Sequence, residues 1–211
     1  MRFASRLSFS LLITLSIVVA TVTTTLGQEL PVNSGATANA QAEIDAIQDQ
    51  GAKLEASKNW RAALRLYERA PRDYPQQSTI ATRYQISRSH VDIARRYHDA
   101  SYLYSIKQMD STASQAVYRE VLGKIETYYF AKLNWQQILK SGIDQFEVAL
   151  HDELFRGHHG LTVNSTDLQQ YRDSVALILT NRVCRSGRDV LQSAISVSQI
   201  AERTLKVSQQ A

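Results

Sequence analysis

The apolar residues of this chain recur every three or four positions, which is the spacing of amphipathic helices. Near the start of the pattern, Ile44, Ile47, Gly51 and Leu54 fall on one helical face. Comparable stripes follow, and no segment shows the strict alternation typical of a half-buried strand. We therefore expect an all-α fold, a bundle of about six or seven helices. The predicted helices cover residues 42–58, 60–70, 78–97, 111–129, 135–150, 167–183 and 188–205.

Polar residues that cap helices support these boundaries. Asn59, Asp110 and Asn134 each precede a periodic segment, and such side chains accept a backbone N–H of the first turn. Thr166, with a glutamine three residues later, resembles a capping box. Pro71 is expected to end the helix that follows Asn59, because proline lacks a backbone donor.

Two segments lack the helical period. Residues 98–110 predict an irregular connection with room for one short helix, and residues 156–164, "RGHHGLTVN", predict a loop. His158 and His159 follow another histidine and a glutamate, but adjacent histidines do not match the four-residue spacing of a helical zinc site. We expect a solvated loop there and no metal ligand.

Small and aromatic residues are spaced through the first two predicted helices in a way that resembles one tetratricopeptide repeat. The residues are Gly51, Trp60, Ala63, Tyr67, Ala70 and Pro75. Lys58 replaces the glycine usual in the turn, and Tyr97 stands where the next unit would have alanine. Because about three repeats are needed to bury a solenoid core, we expect one repeat-like packing hairpin. An ordinary αα-hairpin is the alternative, and in either case a neighbouring groove could hold a peptide or a partner helix.

Tyrosine is frequent, with 10 residues. Its apolar ring and polar tip suit the seams between helices and protein interfaces, so core and seam packing is the main expectation. We also hypothesise that Tyr97, Tyr102 and Tyr104 edge a partner-binding groove.

The N-terminus has the organisation of an export signal. Arg2 and Arg6 precede a long uncharged run that ends in small residues. We expect a signal peptide at residues 1–27, with an uncleaved anchor as the alternative. A flexible linker is expected at residues 28–40 and a helical domain at residues 41–211. The protein is then exported to the periplasm or cell envelope, and it meets a membrane only through an uncleaved N-terminal segment.

The charge balance and the cysteine count limit the kinds of partner and chemistry that we expect. The chain has 24 Lys and Arg against 20 Asp and Glu, which is too balanced to predict a nucleic-acid partner. No cofactor motif is present, so none is expected. Cys184 is the only cysteine. Next to Val183 in a helical pattern, it is expected to be a buried, inert thiol. A reactive thiol, or one that bridges two chains, is the alternative.

The segment "YREVLGKIETYYF" and the helix after it resemble a known arrangement. They are similar to the helical region that precedes the PDZ and catalytic domains of carboxyl-terminal processing (tail-specific) serine peptidases. The residues in question are Tyr118, Val121, Leu122, Ile125, Tyr128 and Tyr129. Residues 95–103 and 134–155 are similar to a subgroup with a longer helical front. The resemblance covers roughly residues 45–211 and implies helices that frame other domains or mediate oligomer contacts.

The chemistry of that family is missing from this sequence. Its members use a serine nucleophile and a lysine base, which needs a lowered pKa. Here no S-x-x-K arrangement, glycine-rich nucleophile turn or PDZ loop occurs. We therefore expect no catalytic residue on this chain, and an exported interaction or scaffolding domain whose partner is a protein or peptide, including a peptidase chain. The alternatives are one half of a split peptidase that needs a separate catalytic chain, and a structural envelope protein of unrelated role.

Overall fold

The computed structural model describes residues 34–208, and every regular element among them is an α-helix. The all-α class is therefore confirmed for this part of the chain, with ten helical segments rather than six or seven. The helices are α1 Ser34–Ala56, α2 Trp60–Tyr67, α3 Ala70–Asp73, α4 Ser78–Tyr97, α5 Ala100–Gln108, α6 Ser111–Tyr128, α7 Trp135–His151, α8 Glu153–His159, α9 Ser165–Asn181 and α10 Gly187–Leu205.

The additional helices are short segments whose ends are fixed by local hydrogen bonds. α3 has Pro71 in its first turn, where the missing N–H has no helical partner to lose. Pro71 therefore begins a helix rather than ending one. α8 occupies residues 156–159 of the predicted loop at residues 156–164, so the prediction is wrong for that part and holds for residues 160–164. Asp152 caps its start, and Gly160, at φ 63°, ends it in the left-handed conformation that glycine adopts most easily.

The predicted linker at residues 28–40 is also partly helical. α1 begins at Ser34, and the segment "SGATANA" contains three alanines. Because alanine has the highest helix propensity, a stretch of small residues can extend a helix as well as a linker. The predicted signal peptide and the rest of the linker lie outside the described residues.

Most predicted caps are confirmed. The side chains of Asn59, Asp110 and Asn134 each accept a backbone N–H three residues later. At α9 the cap is Asn164, which accepts from the Asp167 N–H at 2.8 Å, and not Thr166. The helix therefore begins two residues earlier than expected.

The described residues from Gln41 onward form one compact unit with two groups of buried side chains. The smaller core joins α1, α2 and the start of α4 and includes Ile44, Ala63 and Ile80. The larger core contains most of α7, α9 and α10. α4 contributes to both, with Ile80 in the first and Tyr97 in the second.

α10 is the central helix of the larger core. It packs against α6, α7 and α9, and Val190, Val197 and Leu205 are buried along it as its pattern predicts. Three large apolar residues in or next to the helices are exposed: Val117, Tyr128 and Val183. Val183 follows the end of α9, so helical spacing no longer sets its direction.

No helix among residues 34–208 is long and apolar enough to cross a membrane.

Candidate functional site

The predicted packing residues of the first hairpin lie mainly in the smaller core. Ala63, Tyr67 and Ala70 are buried, whereas Trp60 is half-buried and Pro75 is exposed. At Gly51 the expected close approach is present, because a Cβ added there would lie 1.7 Å from the Tyr67 hydroxyl oxygen. α2 nevertheless makes its main helix contact with α4.

In the turn between α1 and α2, Lys58 stands where a tetratricopeptide repeat usually has glycine. Lys58 adopts a left-handed conformation at φ 56°, which is unfavourable for a residue with a side chain. Its ammonium group lies 2.5 Å from the Glu153 carboxylate at the start of α8, and both side chains are exposed. The ion pair lowers the pKa of Glu153 through its hydrogen bond to Lys58.

A network of polar side chains connects the helices of the smaller core. The Tyr67 hydroxyl donates to one oxygen of Glu55 at 2.7 Å, and Arg83 donates to the other at 3.0 Å. Burial, followed by the hydrogen bond to Glu55, raises the pKa of Tyr67. This network ties α1, α2 and α4 together by side-chain contacts.

A buried His–Asp pair joins α4 to α8. The Nδ1 of His90 lies 2.6 Å from Oδ2 of Asp152, and both side chains are buried. The other Asp152 oxygen accepts the backbone N–H groups of Leu154 and Phe155. The Trp60 ring stacks on the imidazole, with centroids 3.8 Å apart and planes 9° from parallel. Sequence reasoning missed this pair because its members lie 62 positions apart.

An oriented His–Asp pair is one part of the nucleophilic triads of hydrolases, but the surroundings here favour a structural role. Trp60 covers one face of the imidazole. The hydroxyl of Ser87, one helical turn before His90, is fully buried and has no hydrogen-bond partner within the part of the chain that the structure describes. An open depression beside α4 is lined by Arg61, Arg95 and other residues that do not include the pair. The pair therefore holds two helices together.

The three predicted groove tyrosines do not share one exposed edge. Tyr97 is buried at 6% exposure, Tyr102 is half-buried and Tyr104 is 70% exposed. The Tyr97 hydroxyl lies 2.7 Å from Nε2 of His159, and its ring makes edge contacts with Tyr102 and Phe155. Tyr97 thus belongs to the larger core, and a binding role for these tyrosines stays a prediction.

The two adjacent histidines lie in the last turn of α8, which corrects their expected place in a loop. His159 contacts Phe155 and Tyr97, whereas His158 is exposed. Burial, followed by the charge of His158, lowers the pKa of His159. Within residues 34–208, no three His, Cys, Asp or Glu side chains are grouped to hold a metal ion.

Cys184 is buried, as expected, but it lies in the connection between α9 and α10 rather than in a helix. Its sulfur is 3.6 Å from the Ser193 hydroxyl oxygen. Its backbone N–H donates to Oε1 of Gln136 at 2.9 Å, and Nε2 of Gln136 donates to the Leu179 carbonyl at 3.4 Å. One amide side chain on α7 therefore fixes this connection in place.

Exposed aromatic and basic residues collect where two connections meet the first turn of α7. We call residues 128–134 and 181–188, which are the two connections with the helix ends that flank them, the basic aromatic corner. Tyr128 is 80% exposed and Phe130 98% exposed, and the Tyr129 ring stacks on Phe130 at 5.7 Å. Val183, on the second connection, is 68% exposed.

The two connections are neighbours because both contact the start of α7. The first leads directly into Trp135. The second places Gly187 against the Trp135 ring, where an added Cβ would lie 3.4 Å from the indole. The corner therefore rests on a buried aromatic side chain, although its own large side chains are exposed.

The chain has no recognised counterpart in three comparisons: no family model matches it, and no curated protein or solved structure does. The likeness to carboxyl-terminal processing peptidases thus rests on the sequence pattern alone.

Proposed function

We propose that this protein is an exported, non-catalytic interaction module that docks through the basic aromatic corner. The observation that carries the proposal is the 98% exposure of Phe130, next to Tyr128 at 80%. Large aromatic side chains supply much of the binding energy at interfaces. Contiguous exposed apolar groups with a polar rim commonly mark interaction sites.

The absence of a catalytic role is part of the same proposal. The buried His90–Asp152 pair is stacked under Trp60, and the serine nearest to it along α4, Ser87, is fully buried. A substrate would need access to this pair, and the packing of α2 on α4 opposes that access.

The hairpin of α1 and α2 supports a scaffolding element in this function. We propose that it is tetratricopeptide-like, with Gly51 against Tyr67 as the close helix contact. Its role is to brace α4, which continues into the larger core, and to offer a groove for a peptide of a protein partner. The peptidase resemblance supports a peptidase chain as one such partner.

Site-specific photocrosslinking in cells tests the docking role. We expect a photoreactive phenylalanine analogue at position 130 to form adducts with the bound partner. The same analogue at position 104, where Tyr104 is also strongly exposed but lies on α5, should give only background. Equal or absent adducts at the two positions would show that the corner is not a docking surface.

A further inference from the structure

We propose that the basic aromatic corner binds the surface of an anionic phospholipid bilayer. This inference rests on the proposed docking function and names the occupant of that same surface.

The charge of the corner is the first argument. Residues 128–134 and 181–188 contain four basic side chains and no carboxylate. The next carboxylate along the chain, Asp189, accepts the Arg185 backbone N–H and the Ser186 hydroxyl. The four are exposed, and none forms an ion pair with a carboxylate among residues 34–208. They are Lys132, Arg182, Arg185 and Arg188. In the chain as a whole, acidic and basic residues are nearly balanced, so this corner concentrates the positive charge.

Several basic residues outside the corner form ion pairs with carboxylates, unlike the four in the corner. Arg172 pairs with Glu147, Lys140 with Asp144, and Arg95 with Asp92. Unpaired basic residues are attracted to the negative potential of anionic lipid headgroups, and they lose no intramolecular ion pair when they bind.

The aromatic side chains are the second argument. The tyrosine ring favours the membrane–water interface, where the ring meets acyl chains and the hydroxyl stays in water. Phenylalanine is among the apolar residues that surface-bound segments bury at the headgroup boundary. Phe130, in the connection after α6, and Tyr128, the last residue of α6, are almost fully exposed and do not line a groove. A projecting aromatic group needs a ready-made pocket on a protein partner, whereas a bilayer accepts it anywhere on its surface.

The supporting structure is the third argument. Gln136 binds both the end of α9 and the second connection, and Gly187 packs on Trp135. The corner is therefore held on the larger core, so Phe130 and the four cations keep a common position and less freedom is lost on binding.

Tryptophan fluorescence of the full-length chain tests the proposal at the corner itself. In Phe130→Trp, the new indole should shift to shorter wavelength and be quenched by vesicles of brominated phosphatidylcholine with phosphatidylglycerol. Tyr104→Trp is the matched control on α5 and should show neither change. Because both variants keep the N-terminal segment, any insertion of that segment affects them equally.

The charge dependence is measured in the Phe130→Trp chain. Adding Lys132→Gln and Arg185→Gln should weaken vesicle binding about 25-fold, since each basic residue near an anionic surface contributes about fivefold. The control Lys107→Gln, on α5, should have no effect. Vesicles of phosphatidylcholine alone, or high salt, which screens exposed charges, should also abolish the change.

Two results would overturn the lipid proposal. The first is a Phe130→Trp signal that does not respond to anionic vesicles, or that responds no more than Tyr104→Trp. The second is an adduct at position 130 that contains protein and no lipid. In that second case the corner is still a docking surface, so the proposed function stands. The absence of any adduct at position 130 would remove both.

Discussion

Two buried tyrosines differ in whether their hydroxyl group forms a hydrogen bond. Tyr67 donates to Glu55, whereas the hydroxyl of Tyr171, a residue only 1% exposed, has no hydrogen-bond partner among residues 34–208. Burial raises the pKa of both phenols, so each stays neutral at physiological pH. A buried hydroxyl without a partner costs free energy, because it gives up its hydrogen bonds to water.

The two tyrosines should therefore respond oppositely to removal of the hydroxyl. We expect Tyr171→Phe to raise the free energy of unfolding by about 1 kcal/mol. Tyr67→Phe should lower it by about 1–2 kcal/mol, because a hydrogen bond to a carboxylate is lost. Urea denaturation of the two variants checks this. A loss of stability in Tyr171→Phe would mean that its hydroxyl is satisfied in solution.

Stability at mildly acidic pH should depend on His159. Its lowered pKa means that the unfolded chain binds a proton more readily than the folded one, so stability falls as pH decreases below the ordinary histidine pKa of about 6.5. Protonation also removes the Nε2 lone pair that can accept from Tyr97. His159→Gln should flatten this part of the pH–stability curve, measured by thermal unfolding. His151→Gln, an exposed control, should leave it unchanged, and equal slopes for all three proteins would contradict the assignment.

Individual residues could be predicted where the signal is local. Asn59, Asp110 and Asn134 act on backbone groups three residues away, so their capping role follows from the sequence. Continuing the helical period past Asn181, where α9 ends, would put Val183 on a buried face, but Val183 is exposed. The burial of Cys184 was foreseen, but not the Gln136 side chain that holds it.

At the scale of elements, α8 shows how a seven-residue helix can be fixed by one side chain. Asp152 ends α7, begins α8 and binds His90 on α4. Such a short segment has too little amphipathic pattern to be recognised, and short helices are marginal without tertiary support. The two residues that end this helix, Asp152 at its start and Gly160 after its last turn, are recognisable local signals in the sequence. The contact between Asp152 and His90 on α4 could not be predicted, because no local spacing in the sequence encodes it.

Replacing Asp152 should consequently cost more than replacing an ordinary cap. We expect Asp152→Ala to lower the free energy of unfolding by about 3–4 kcal/mol, since it removes the cap and leaves His90 buried without its partner. Asp110→Ala, which removes only the exposed cap of α6, should cost about 1 kcal/mol. Chemical denaturation compares the two. Equal losses would mean that the buried pair adds nothing beyond capping.

At the scale of the whole molecule, α4 is the shared element of two unequal cores. The all-α class followed from the periodicity because long amphipathic segments carry a strong signal. The division into two cores could not be predicted from the periodicity, because it depends on which helix faces contact each other. The smaller core contains five buried hydrophobic residues, and α1 contributes Ile44 to it.

The two cores should open with different free energies. We expect native-state hydrogen exchange to show lower protection in α1 and α2 than in α10, because local stability follows the number of buried contacts. Ile80→Ala should increase exchange in the smaller core while α10 keeps its protection, and Val190→Ala should affect α10. A single common opening free energy across all helices would argue against separate cores.

The position of α10 has a consequence for the order of events during biosynthesis. A ribosome releases α6, α7 and α9 before it releases α10, yet all three pack against α10. The apolar faces that pack on α10 therefore remain uncovered until the last described helix emerges, and nascent chains with such surfaces are prone to aggregate. We expect chains stalled before Ser186 to be digested throughout α6 and α7 in a protease assay, whereas chains released past Leu205 resist digestion. Early resistance would show that α6 and α7 fold without the helix that covers them.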